Sequence, residues 1–117
     1  HAQDPSGIKN IKTHENSVFG NTQLFPDIME NCISTAFAHI FHGGYSSGYY
    51  SYKWAEVLEA DAFAYFKTKQ LFNSEIASSL QKHILSQGGT ENPEVLYKNF
   101  RGKSASNKAL LERAGLV

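Results

Sequence analysis

From Gly48 onward the chain is punctuated for helices and for nothing else, and this restricts its fold more than any other feature. Ser46 or Ser47 can cap a long helix from about Gly48 to Lys67, which sets Trp54, Leu58, Ala62 and Tyr65 on one stripe at helical spacing. That stripe is the expected buried face. Asn73 is the cap for a further helix bearing Ile76, Leu80 and Ile84, which stops before Gly88-Gly89. Asn92 as cap, with Pro93 in the first helical position, starts another that ends near Gly102. Ser106 opens a last short helix through Leu110 and Leu111, closed by Gly115. Nearer the start, Ile8, Ile11, Val18 and Phe19 keep a helical period from Ser6 to Phe19, with Gly20 expected as a left-handed stop. Pro26 and the stretch Asn31 to Thr35 read as a connection holding a short helical turn at most. With no strand-like alternation, no repeat and no low-complexity segment, the expected fold is all-α.

A chain of 117 residues fits one globular domain that buries roughly two thirds of its unfolded surface. Eleven basic and eleven acidic side chains cancel, which leaves no overall field to draw in nucleic acid or an anionic membrane. No run of about eighteen apolar residues is present to span a bilayer. Neither nucleic acid nor membrane is therefore an expected partner. Cys32 is the single cysteine, so it cannot form an internal disulfide; a reducing compartment such as the cytoplasm is expected, with the periplasm as the alternative. The opening His1-Ala2-Gln3-Asp4-Pro5 resembles the end of an affinity tag with a vector-encoded linker and is set aside. Residues 6–117 then form one helical segment, expected to be part of something larger.

The chemistry concentrates between Phe37 and Glu56. A histidine, a glycine-rich loop (Gly43-Gly44-Tyr45-Ser46-Ser47-Gly48) and the tyrosines Tyr45, Tyr49, Tyr50 and Tyr52 follow one another there. On a helix at about 100° per residue, Tyr49, Tyr52, Glu56 and Phe63 share a face, so two phenols one turn apart can converge on one ligand, with Tyr45 on the preceding loop. A phenol titrates near pH 10 and can donate a hydrogen bond to an oxygen that gains negative charge. The plainer reading is that aromatics at helical spacing are core, but little Leu or Ile stands between these tyrosines. The glycines suit a hinged lid or an ordinary turn. They are not a phosphate loop, because no Gly-Lys-Ser/Thr follows, and they lack the dinucleotide spacing.

No metal site is legible. His39 and His42 lie three apart, but a zinc site needs three or four protein ligands and spacing supplies no third. His14-Glu15-Asn16-Ser17-Val18 begins like the helical zinc motif and places valine where its second histidine belongs. Glu56, Glu59 and Asp61 read as a solvated helix face.

Taken together, Phe37-Ala38-His39-Ile40-Phe41, Gly43-Gly44-Tyr45 and Gly48-Tyr49-Tyr50-Ser51-Tyr52-Lys53-Trp54-Ala55-Glu56-Val57-Leu58 resemble the carboxy-terminal signature of thimet oligopeptidase-type zinc metallopeptidases. The likeness is strongest to the bacterial dipeptidyl carboxypeptidase and oligopeptidase A branch. Ile84-Leu85, Gly88-Gly89, Leu96-Tyr97, Phe100-Arg101-Gly102-Lys103 and Leu110-Leu111 with Gly115-Leu116 extend it from about Thr22 to the end.

The resemblance implies two largely helical halves around a channel. It also implies a zinc held by the two histidines of an HExxH helix and a later glutamate, none of which this chain contains. Tyr45 and Tyr52 are the implied catalytic donors to the tetrahedral oxyanion. His39 and Tyr49 are implied to contact the peptide, while Gly43, Gly44 and Gly48 let the loop adjust around it. Zinc is expected in the parent enzyme and none in this segment. Its expected partners are a short peptide substrate and the upstream part of the parent. The competing reading is a free-standing helical peptide-binding module, or a truncated pseudo-peptidase, that grips without cutting.

Overall fold

The computed structural model describes residues 4–46 and 48–117, all of whose regular elements are helical. His1–Gln3 of the opening pentapeptide and the candidate cap Ser47 lie outside the described residues. Two compact units divide the chain, the first ending at Tyr50 and the second spanning Ser51–Val117.

The first unit is thin in regular structure. The helix expected from Ser6 to Phe19 is split: Asp4 caps a 3-10 turn at Pro5–Gly7, and Ile8 is extended (φ −87°, ψ 98°). Helix α1 then runs over Ile11–Phe19, where the Asn10 side chain accepts from the Thr13 N–H at 2.8 Å. Asn10 satisfies an otherwise orphaned donor, which sets the start that apolar spacing alone placed too early. Gly20 is not the expected left-handed stop, because its φ of −52° is right-handed and its N–H still bonds the Asn16 carbonyl.

Helix α2 is the single turn Ile33–Ala36. It is tied to α1 by Glu15, whose Oε1 accepts from the Ser34 N–H at 2.8 Å and from its hydroxyl at 3.2 Å. Burial acts to raise the Glu15 carboxyl, but hydrogen bonds from the Ser34 N–H, the Cys32 side chain and the Ser34 hydroxyl outweigh it, leaving the pKa below its ordinary value. Lys12 and Asp27 pair at 2.6 Å, and Asn16 donates to the second Asp27 oxygen. Polar bonds therefore carry much of the cohesion of this unit.

The second unit holds the apolar core. Helix α3 spans Ser51–Lys67, three residues shorter at its start than expected. A turn closed by the Gly48 N–H on the Tyr45 carbonyl (2.8 Å) occupies the preceding residues. Helix α4 (Ser74–Leu80) is capped by Asn73 and continues into a wider π turn at Gln81–Leu85. Helix α5 (Pro93–Arg101) is capped by Asn92 and ends on left-handed Gly102 (φ 77°). Helix α6 (Lys108–Arg113) starts beyond Ser106, whose hydroxyl accepts from the Lys108 N–H, and is closed by left-handed Gly115. Ile76, Tyr97 and Phe100 form the buried centre, with Leu58, Ala62, Tyr65, Phe66, Leu80, Ile84 and Ala105 packed around it.

One expected core residue is not there. Leu58, Ala62 and Tyr65 face this centre, but Trp54 is 60% exposed, and the buried residues of α3 are Ala60 and Asp61. The packing partners of α3 begin about one turn after Trp54, so the stripe is occupied only from Leu58 onward. Asp61, read from the sequence as part of a solvated face, is 4% exposed.

Candidate active site

The sequence from Phe37 to Tyr49 folds into short turns that gather its rings. His39 sits in the 3-10 turn Ala38–Ile40, and a second such turn, His42–Gly44, leads into Tyr45. Gly43 and Gly44 have φ of 68° and 81°, a region that side chains with a Cβ rarely enter, so two successive glycines are what allows this reversal. The Gly43 backbone also passes close to the Tyr45 ring, 3.4 Å from where a Cβ would stand.

Across that reversal, the His39 and Tyr45 rings meet at 4.8 Å with an interplanar angle of 76°. Tyr49 stands edge-on to both, 5.5 Å from His39 and 5.8 Å from Tyr45. Phe37 backs Tyr49 at 4.8 Å and 83°. Such edge-to-face pairs are each worth about 0.5–1.5 kcal/mol beyond their buried area and fix the ring planes relative to one another. Tyr45 and Tyr49 are half-buried, while His39, His42 and Tyr50 are exposed.

Of the residues singled out by sequence, His39, Gly43, Gly44, Tyr45, Gly48 and Tyr49 thus belong to one loop cluster in the first unit. Tyr49 lies in the turn before α3 rather than on it, which overturns the expectation that Tyr49 and Tyr52 share a helix face. Tyr52 occupies the first turn of α3 in the second unit and is 42% exposed. Phe37, not chosen as a site residue, is the support behind Tyr49.

The described residues do not fit zinc. Among the described residues no group of three or more His, Cys, Asp or Glu side chains is placed to hold a metal ion. Glu15, at the position that would be the general base of a zinc motif, is spent on Ser34. Also among the described residues, no helix is long and apolar enough to cross a membrane.

A polar cluster missed in the sequence sits in the second unit. Asp61 Oδ2 accepts from the Tyr97 hydroxyl at 2.8 Å and from Arg101 Nε at 3.2 Å. The Arg101 guanidinium lies 4.4 Å over the Tyr65 ring. Burial, then the bond to Asp61 and its negative charge, push the Tyr97 phenol well above its ordinary pKa. The available signal was positional: Asp61 lies three residues after Leu58 and four before Tyr65 on the apolar stripe, and Tyr97 and Arg101 are one turn apart. By contrast Glu56 and Glu59 do face solvent, paired with Lys53 at 2.8 Å and Arg113 at 2.6 Å.

Several known proteins are similar to this chain in sequence. Over 81 residues the chain is 52% identical to oligopeptidase A of Escherichia coli, covering 69% of this chain and 12% of that protein. It is 39% identical to a probable cytosolic oligopeptidase A of Arabidopsis thaliana, over 97% of this chain and 17% of the relative. It is 37% identical to the dipeptidyl carboxypeptidase of Escherichia coli, over 78% and 13%. The chain thus spans only 12–17% of the length of these relatives. The model of peptidase family M3 matches residues 1–116, nearly the whole chain, and the chain belongs to that family.

Proposed function

We propose that this chain is the carboxy-terminal part of a zinc-dependent peptidyl-dipeptidase or oligopeptidase that acts on short peptides. The observation that carries this reading is a peptidase-family match over residues 1–116 that includes the His39, Tyr45 and Tyr49 ring cluster on its two-glycine reversal. Tyr45 and Tyr52 are the catalytic residues of the reading. Cleavage of a peptide bond turns a planar carbonyl into a tetrahedral centre whose oxygen gains negative charge. A phenol O–H gains more from that oxygen than from the ground-state carbonyl, so its bond lowers the barrier rather than merely tightening binding. His39 and Tyr49 line the substrate. Gly43, Gly44 and Gly48 give the loop its room to close.

Zinc belongs to the whole enzyme, on ligands outside this chain, and the remainder of the parent is the obligatory partner. Alone, the segment holds oxyanion donors but no group to activate water, so it is inactive. The names of the relatives, oligopeptidase A and dipeptidyl carboxypeptidase, support a short peptide as substrate. The name of one relative, a probable cytosolic oligopeptidase A, supports the cytoplasm as compartment, with the periplasm as the alternative.

The test uses the full-length enzyme. Tyr45→Phe and Tyr52→Phe each keep the ring and remove one hydroxyl, and each lowers kcat about a hundredfold with KM little changed. Retained kcat with a raised KM in both variants would mean that the phenols only hold the peptide.

A further inference from the structure

We infer that Asp61 is a positioning residue for Tyr52, fixing the rotation and axial register of α3 through directional bonds to Tyr97 and Arg101 of α5. The inference rests on the reading of Tyr52 as an oxyanion donor. Its starting point is that Asp61 is an odd choice for a helix interface. The residue is 4% exposed, and its neighbours on the stripe are Leu58, Ala62 and Tyr65. A well-packed apolar side chain would join α3 to α5 as firmly, because the cost of removing a carboxylate from water commonly cancels what its ion pair returns.

An apolar contact, however, tolerates sliding and rotation, whereas a charge-assisted hydrogen bond has a fixed length and direction. Here one oxygen, Oδ2, is held by two donors one turn apart on α5, at 2.8 and 3.2 Å. The same Tyr97 hydroxyl lies 3.3 Å from the Leu58 carbonyl, a second point on α3. The Tyr65 ring, one turn beyond Asp61, is covered by the Arg101 guanidinium. Three successive turns of α3 are thereby registered against α5.

The lever runs from there to Tyr52. The first five residues of α3 are exposed, and its first buried positions are Ala60 and Asp61. Nine residues separate Asp61 from Tyr52, about 13 Å at 1.5 Å per residue, so a tilt of about 4° at the anchor moves the Tyr52 backbone by about 1 Å. A misplacement of about 1 Å at a reacting group can cost about a hundredfold in rate.

The experiment is a double-mutant cycle on kcat in the full-length enzyme, pairing Asp61→Asn with Tyr52→Phe. Asp61→Asn keeps the shape of the side chain and removes the charge that holds both donors. It is expected to lower kcat about tenfold with KM within about twofold, and to have no further effect once the Tyr52 hydroxyl is gone. Tyr97→Phe, which keeps its ring in the core, is run in the same cycle, and it decides the matter if Asp61→Asn does not fold. If the variants reduce kcat equally with and without the Tyr52 hydroxyl, Asp61 acts on general integrity and the inference falls alone. It also falls alone if they leave kcat unchanged while Tyr52→Phe reduces it. An unchanged kcat for Tyr52→Phe by itself would overturn the oxyanion reading, and this inference with it.

Discussion

Asp61 receives both of its protein donors through a single oxygen, so at the scale of the residue its loss is felt twice. Asp61→Ala leaves the Tyr97 hydroxyl only the longer contact to the Leu58 carbonyl and Arg101 without its counter-charge, and the expected cost is about 3 kcal/mol of stability in the second unit. Trp54→Ala is the contrasting case. Its ring is larger, but at 60% exposure it gives up little burial, and the expected cost is about 1 kcal/mol or less. Urea unfolding of the two variants followed by helical circular dichroism checks the order, since the indole itself is lost in one of them. A larger loss for Trp54→Ala than for Asp61→Ala would mean that α3 packs on a different face.

At the scale of the element, α5 shows how local and tertiary signals divide the work. Its start and stop are local: the Asn92 side chain accepts from the Glu94 N–H, Pro93 follows the cap, and Gly102 turns left-handed. Its inward face, Leu96, Tyr97 and Phe100, is where tertiary structure takes over. Burial and the Asp61 carboxylate keep the folded Tyr97 phenol protonated at pH values where an unfolded tyrosine, with a pKa near 10, releases its proton. The folded state then binds more protons than the unfolded one, so this group's contribution is whole below about pH 10 and is lost as the pH rises beyond it. Between pH 9 and pH 11 the urea midpoint should fall further for the parent sequence than for Tyr97→Phe. Equal falls would show that Tyr97 ionises as easily in the fold as outside it.

At the scale of the whole molecule, the two units differ in what holds them. The second encloses an apolar centre, whereas the first exposes Leu24, Phe25, Ile28 and Met29 in a stretch of six residues. Clustered apolar side chains of this kind favour association, so the isolated chain should show a sedimentation coefficient that rises with concentration. A constant monomer value over a hundredfold range would show that this stretch is covered. Much of this architecture was readable from the residues alone. Asn73, Asn92, Pro93, Gly102 and Gly115 mark helix ends because a cap or a left-handed turn involves atoms only a few residues apart. The break at Gly43 and Gly44 was legible for the same reason. Only the tertiary structure decided that the inward face of α3 begins at Leu58 and includes Asp61 while Trp54 stays outside. It alone also showed that Tyr49 joins the His39 and Tyr45 rings instead of extending the helix. Burial is a relation between distant residues: the partners of Asp61 lie 36 and 40 positions away, and no pattern within one helix says whether such a partner will be there.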